Sequence, residues 1–275
     1  MLRKIADRKV FPIGLGVMAL DEYEPKADEQ EAISLLKYAA QKVDFMDTAD
    51  VYGIGRNEEL IGKALSEEQK SKVLIATKAG CTRPGGYGWG TDGRPEHIKK
   101  AIHESLKRLD VKHIHLYQLH APDHTHRIPL KQSVNALKEL QSVGLVKFIG
   151  LSNVSLEELR EAEKIVEIVS VQNHYNIAFK RDEEELLPYL TRNNITYIPY
   201  FPLGSGRLLS DPKLKGVAQR SNITTSQICL AWMLNKWPTA IPIPGTKNKE
   251  HLDENIKAAE IELPQKVIKE INELY

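Results

Sequence analysis

The chain has 275 residues, with 38 basic against 37 acidic side chains, for a formal net charge of +1. That balance speaks against a dedicated nucleic-acid or membrane-surface binder, each of which carries a basic excess, and 41% hydrophobic with 27% charged residues is ordinary for a soluble globular chain. Two cysteines, Cys81 and Cys229, are too few for a disulfide scaffold, so a reducing, cytoplasmic setting is expected.

The first residues imitate a secretory signal, because Arg3, Lys4, Arg8 and Lys9 precede an apolar run at 11–20. Asp7 breaks the basic patch, Pro12 and two glycines break the run, and no small-residue cleavage pattern follows, so residues 2–11 read as a small hairpin. No stretch approaches the about 18 continuous apolar residues of a membrane span. Short runs rich in Ile and Val then recur at 13–17, 45–49, 73–78, 113–120, 148–153, 169–175, 196–203 and 240–245. These are the candidate strands. Between them, Ile98, Ala101, Ile102, Ser105, Leu106 and Leu109 mark one helical face, as do Leu156, Leu159, Ala162, Ile165 and Val166. Capping pairs predict helix starts at Asp28 with Glu31, Ser155 with Glu158, Asp182 with Glu185 and Thr224 with Gln227. Extra helices are expected at 210–220 and 264–274. Strands alternating with helices imply parallel strands and right-handed crossovers. Eight such units predict an α/β fold, a (β/α)8 TIM barrel forming one domain over 1–275.

A barrel places its chemistry at the C-terminal ends of its strands. Asp47, Lys78 and His120 end the second, third and fourth candidate strands, and pleat parity turns all three toward the barrel axis. A buried lysine beside a carboxylate stays charged. A tyrosine near that ammonium, here Tyr52, would have its phenolate favoured over the usual pKa of ~10, making it a proton donor to a developing alkoxide. His120 could orient the same oxygen. Such a site has an acid and an electrostatic clamp but no activated nucleophile, which suits carbonyl reduction with a hydride from a cofactor.

Phe45-Met46-Asp47-Thr48-Ala49-Asp50-Val51-Tyr52-Gly53, Ala76-Thr77-Lys78, Gln118-Leu119-His120 and Gly150-Leu151-Ser152-Asn153 together resemble the aldo-keto reductases, in order along nearly the whole chain. The resemblance implies a barrel that uses NADPH, without a Rossmann domain, to interconvert carbonyls and alcohols. It implies Tyr52 as general acid, Lys78 and Asp47 as the pair that tunes it, and His120 as the substrate-orienting histidine. It places Ser152, Asn153 and Gln172 on the nicotinamide carboxamide and Tyr200 against the nicotinamide ring. Leu203 and Ser205 fall along the pyrophosphate, Phe201 is a further cofactor contact, and Gly16, Val17 and Met18 lie beside the nicotinamide. Gly245, Thr246, Lys247, Asn248 and His251 form the expected adenosine-phosphate loop, helped by Lys249, with Glu254 and Asn255 at the adenine. Many members carry Arg at the position of His251 and Lys at that of Gly245, a departure that weakens the preference for NADPH and keeps NADH as an alternative. Gly144 to Gly150, Val171 to Asn176 and Phe201-Pro202-Leu203-Gly204 are similar to bacterial members of the general-stress and pyridoxal-reductase type, which makes pyridoxal one candidate substrate.

Other readings compete. Lys78 could form a Schiff base in a barrel lyase, although Asp47 would hold it charged. The chain could also be an NADPH-binding regulatory subunit with little turnover. Gly88, Gly90 and Gly93 make a G-x-G-x-x-G, but about ten residues beyond the strand end, so they read as a flexible loop. With Tyr87 and Trp89 that loop forms a lid or pocket wall. His113, His115, His124 and His126 carry no metal-ligand spacing, and no metal is expected. Cys81 reads as an inert thiol near the site and Cys229 as core. The expected partner is a small carbonyl substrate, with no nucleic acid or membrane, and the oligomeric state is open with a monomer favoured.

Overall fold

The eight apolar runs become the staves of a closed ring in the computed structural model, which describes residues 2–20, 28–86, 88–123, 125 and 127–275. The chain begins with the expected hairpin, β1 (Arg3–Ile5) antiparallel to β2 (Arg8–Val10). Then come β3 (Leu15–Gly16), β4 (Phe45–Asp47), β5 (Leu74–Ala79), the short β6 (Cys81–Thr82) and β7 (Gly90–Thr91), β8 (Ile114–Leu119), β9 (Val146–Ser152), β10 (Ile168–Gln172) and β11 (Thr196–Tyr197). Seven of them form one parallel sheet in the order β11-β10-β9-β8-β5-β4-β3.

The eighth stave, 240–245, closes the ring through single parallel bridges, Ala240 to Tyr197 on one side and Gly245 to Gly16 on the other. Its composition explains why it forms no continuous ladder. On the β11 side, Ile241 N–H donates to Tyr197 O at 2.8 Å and Ile243 N–H to Pro199 O at 3.4 Å. On the β3 side, Pro242 and Pro244 have no N–H to give. They only accept, from Gly14 N–H at 3.0 Å and Gly16 N–H at 3.3 Å. A side chain at Gly16 would also strike this stave, since its Cβ would lie 2.7 Å from Ile243 O.

Twelve helices are described: α1 (Glu29–Ala39), α2 (Arg56–Ala64), α3 (Glu67–Lys72), α4 (Pro95–Leu109), α5 (Leu130–Ser142), α6 (Leu156–Glu163), α7 (Leu186–Asn193), α8 (Arg207–Ser210), α9 (Pro212–Arg220), α10 (Thr225–Lys236), α11 (Lys249–Lys257) and α12 (Gln265–Leu274). Pleat parity divides the core in two. Phe45, Leu74, Ala76, Leu116, Ile198 and Ile241 fill the ring interior, floored by Ile5 and Val10 of the hairpin. Met46, Ile75, Tyr117, Ile149 and Val171 point outward to the helices.

Ser155 with Glu158 and Thr224 with Gln227 make reciprocal capping boxes, and Asp28 accepts from Gln30 and Glu31 N–H. Asp182 does not cap a helix. α7 begins four residues later, and the Asp182 carboxylate is buried instead, accepting from Tyr197 O–H and Asn173 Nδ2, both at 2.8 Å. Partners from distant strands outbid the local helix start there. Among the described residues, no helix is long and apolar enough to cross a membrane.

Candidate active site

β4 ends on Asp47, Lys78 is next to last in β5, and His120 follows β8 directly. The register sets Phe45 beside Leu74, Asp47 beside Ala76 and Lys78 beside Gln118. The polar strand ends therefore form a layer above the apolar filling. Lys78 Nζ, fully buried, lies 2.6 Å from Asp47 Oδ2 and donates to Thr48 O at 2.7 Å and to the Tyr52 hydroxyl at 3.4 Å. Asp47 Oδ1 accepts from Gln172 Nε2 at 2.8 Å and Gln118 Nε2 at 3.3 Å. A buried ion pair offsets its desolvation only when its remaining lone pairs are satisfied; these two glutamines do that.

Tyr52 enters from the turn that starts α2. Gly53, Ile54 and Gly55 all have positive φ, at 55°, 54° and 91°. Ile54 is β-branched and exposed, so this backbone is strained. The chain reverses sharply there while the Tyr52 ring stays inside. His120 stands edge-on to that ring, 5.6 Å between centroids, and its Nδ1 is buried without a hydrogen-bond partner. Burial pushes its imidazole pKa well below 6.5, and the charges of Lys78 and Arg83 add to the effect. His120 is thus neutral at physiological pH and carries one N–H.

The glycine-rich segment forms a hairpin, β6 against β7, rather than a plain loop. Gly90 lies within β7, Gly88 and Gly93 flank it, and α4 begins separately at Pro95, so these glycines do not bridge strand and helix. Trp89 reaches from the hairpin to within 6.4 Å of the Tyr52 ring and 6.0 Å of His120. The Arg83 guanidinium lies over the Trp89 ring, 3.6 Å from its centroid. Tyr87, His124 and His126 lie outside the described residues. Among the described residues, no group of three His, Cys, Asp or Glu could hold a metal. The Cys81 thiol is pushed up to about 12, first by burial and then by Asp50, so it stays protonated.

From this cluster a cavity of about 670 Å³ runs across the strand ends. Its walls include Gly16, Met18, Asp47, Tyr52, His120, Ser152, Asn153, Gln172, Tyr200, Phe201, Leu203, Ser205 and Gly245, all expected from sequence. Lys78 lies beneath it, and Val17 is buried among the helix-facing residues. Asn153, at φ 59°, ties three staves together: Nδ2 donates to His120 O at 2.9 Å, and Oδ1 accepts from Tyr200 O–H at 2.7 Å. Phe201 and Ser205 also have positive φ, so strained non-glycine backbone gathers along this groove. Cys81, Trp89 and Met18 face it as expected, whereas Arg83 and Leu209 were not foreseen. The position of Arg83, five residues past Lys78, was the available signal.

The far end is arranged differently. Thr246, Lys247, Asn248, His251, Glu254 and Asn255 lie outside the cavity wall. Asn248 caps α11, its Oδ1 accepting from Glu250 N–H at 2.6 Å and His251 N–H at 3.2 Å. Lys249 donates to Ser34 Oγ at 2.7 Å. One oxygen of Glu254 accepts from Thr224 Oγ1 at 2.8 Å and from Ser226 Oγ. Asn255 is buried.

A parallel barrel thus carries a tyrosine, a buried ion pair and a neutral imidazole at the head of a long groove. The sequence model of the Aldo/keto reductase family matches residues 12–275. Pyridoxine 4-dehydrogenase of Escherichia coli strain K12 is 35% identical over 272 residues, covering 96% of this chain and 94% of that protein. Probable aldo-keto reductase 1 of Glycine max is 35% identical over 297 residues, covering 96% and 85%. Among solved structures, a thermostable aldo-keto reductase in complex with the inhibitor epalrestat superposes with a TM-score of 0.86 at 31% identity, covering all of both chains. An aldo-keto reductase from Klebsiella pneumoniae in complex with NADPH shares the fold, with a TM-score of 0.86 at 24% identity, covering 100% of this chain and 95% of its own. The chain belongs to the aldo/keto reductase family.

Proposed function

We propose that this oxidoreductase reduces small aldehydes or ketones with NADPH in the cytoplasm, Tyr52 giving the proton. The groove's donors fit the cofactor. Ser152, Asn153 and Gln172 offer the hydroxyl and amide groups that a carboxamide needs, and Tyr200 offers a ring face. When bound there, the nicotinamide supplies the hydride. Tyr52 donates its phenolic proton to the carbonyl oxygen, and Lys78 stabilises the oxyanion left behind. Asp47 pairs with Lys78 and holds its ammonium in place. His120, neutral with one N–H, hydrogen-bonds the same oxygen and orients it. Trp89 and Met18 wall the substrate end, where pyridoxal is one candidate.

The carrying observation is the 3.4 Å contact between the Lys78 ammonium and the Tyr52 hydroxyl. A Schiff-base role for Lys78 fits poorly, since its Nζ is fully buried and engaged by Asp47 Oδ2 at 2.6 Å and Thr48 O at 2.7 Å. Thr246, Lys247 and His251 supply the 2′-phosphate end. In that loop Asn248 already satisfies the first amides of α11, so recognition falls on side chains, and NADH is the cofactor to compare.

The test is Tyr52→Phe. Loss of a positioned acid should lower kcat by about 10²–10⁴-fold, with the NADPH Kd, read by fluorescence titration, unchanged. Turnover of wild-type size in that variant would refute the assignment.

A further inference from the structure

A second group of charges lies behind Tyr52, and the proton-transfer reading does not use it. Glu58, on α2, is fully buried. Its Oε2 accepts from Arg108 Nε and lies beside Arg108 Nη2, each at 2.7 Å. Its Oε1 accepts from Thr77 Oγ1 at 2.5 Å. Thr77 precedes Lys78 on β5, and the two point to opposite faces of the sheet. Arg108, in the last turn of α4, also lies flat beneath the Tyr52 turn. A Cβ at Gly55 would fall 2.8 Å from its Cδ and Nε. Only a glycine leaves room for the guanidinium there.

One side chain from the outer layer thus touches the turn that carries Tyr52. Through Glu58 it is also tied to the strand that carries Lys78. A buried ion pair is no efficient source of stability, because apolar residues of similar volume often do as well. What it does supply is direction. The guanidinium fork fixes Glu58 in one orientation, and Glu58 fixes Thr77 to α2.

We propose that Arg108 and Glu58 are positioning residues that hold the Tyr52 turn and the Lys78 strand at the spacing proton transfer requires. This rests on Tyr52 being the proton donor. It makes α4, which contributes no wall to the cavity, a determinant of turnover.

The experiment compares wild type with Arg108→Lys and with the double variant Glu58→Gln/Arg108→Met, which leaves no unpaired charge buried. Lysine keeps the charge but not the fork. Misplacement of reacting groups by a fraction of an ångström to one ångström costs roughly ten- to hundredfold in rate, so kcat should fall by that factor in both. KM and the NADPH Kd should stay within about twofold, because no substrate or cofactor contact is lost. The alkaline limb of kcat should move to higher pH, as the ammonium moves away from the phenol. A kcat within about twofold of wild type in either variant overturns the proposal. So does a loss of kcat matched by an equal loss of NADPH affinity with the pH limb unmoved, which reports a disordered groove. Tyr52→Phe runs in parallel. If that variant keeps turnover, the proton-donor reading falls and takes this one with it. If it is inactive while Arg108→Lys matches wild type, this inference alone falls.

Discussion

Asp50 lies two residues before Tyr52, half-buried, with Oδ1 lacking any hydrogen-bond partner. Burial, then the charge of Glu58, pushes its carboxyl from the ordinary 3.8 up to about 8. Between those values the folded chain keeps a proton that the unfolded chain has shed. Stability contributed by this group therefore declines as pH climbs through that window and levels off above it. Asp50→Asn removes the titration. Its Tm relative to wild type should rise from pH 5 to pH 8.5, and an equal Tm difference at both would contradict a buried, protonated carboxyl. At this scale the sequence was most legible where geometry is local. Parity within a strand placed Asp47, Lys78 and His120 on one face without knowledge of any partner. It could not place Asp182 or Glu254, whose hydrogen bonds come from Tyr197 in one case and from Thr224 and Ser226 in the other. Those contacts join elements that only the closed ring brings together.

Helices declared themselves through caps and periodicity, and strands through apolar runs. Ser155 illustrates a cap that worked as written: its hydroxyl accepts from Glu158 N–H at 3.2 Å, and the Glu158 carboxylate accepts from Ser155 N–H at 2.7 Å. Ser155→Ala should cost about 1 kcal/mol, or roughly 2 °C in Tm for a chain of this size, with kcat unchanged; a calorimetric scan checks the first and an absorbance assay the second. The β6–β7 hairpin escaped notice because its strands are two residues each and its glycines dominate the local signal. Its pairing is set by Cys81 opposite Thr91 and Thr82 opposite Gly90, a match that no periodicity encodes. The eighth stave was found by its Ile residues, yet its prolines limit it to isolated bridges.

The whole molecule separates its tasks between two ends. The groove and its strained backbone occupy the C-terminal face of the barrel, while the hairpin floors the other. Arg3 fastens that floor by donating to the carbonyls of Leu234, Trp237 and Ala240, and burial lowers its pKa to about 10, so it stays charged at neutral pH. Arg3→Met would leave those carbonyls short of a donor, at about 1–3 kcal/mol for each one left buried and unsatisfied. The expected result is a Tm several degrees lower with kcat at 25 °C unchanged, since the site lies at the opposite end. A parallel fall in kcat at that temperature would show that the two ends are coupled. The even charge count of the sequence thus conceals an uneven distribution: a neutralised pair under the chemistry, a clamp behind it and a cation plugging the floor.

At the seam with β3, the proline-bearing stave accepts from Gly14 and Gly16, and its two prolines return no N–H. Gly16 on one bank and Gly245 on the other both belong to the groove wall. A dinucleotide laid along the groove, as proposed above, would span this sparsely bonded seam. Occupancy and resistance to unfolding then become one quantity: each tenfold excess of ligand over its Kd adds about 1.4 kcal/mol to the closed form. The cofactor would be a rivet in the hoop as much as a reagent, and a cell short of it would hold a looser protein as well as an idle one.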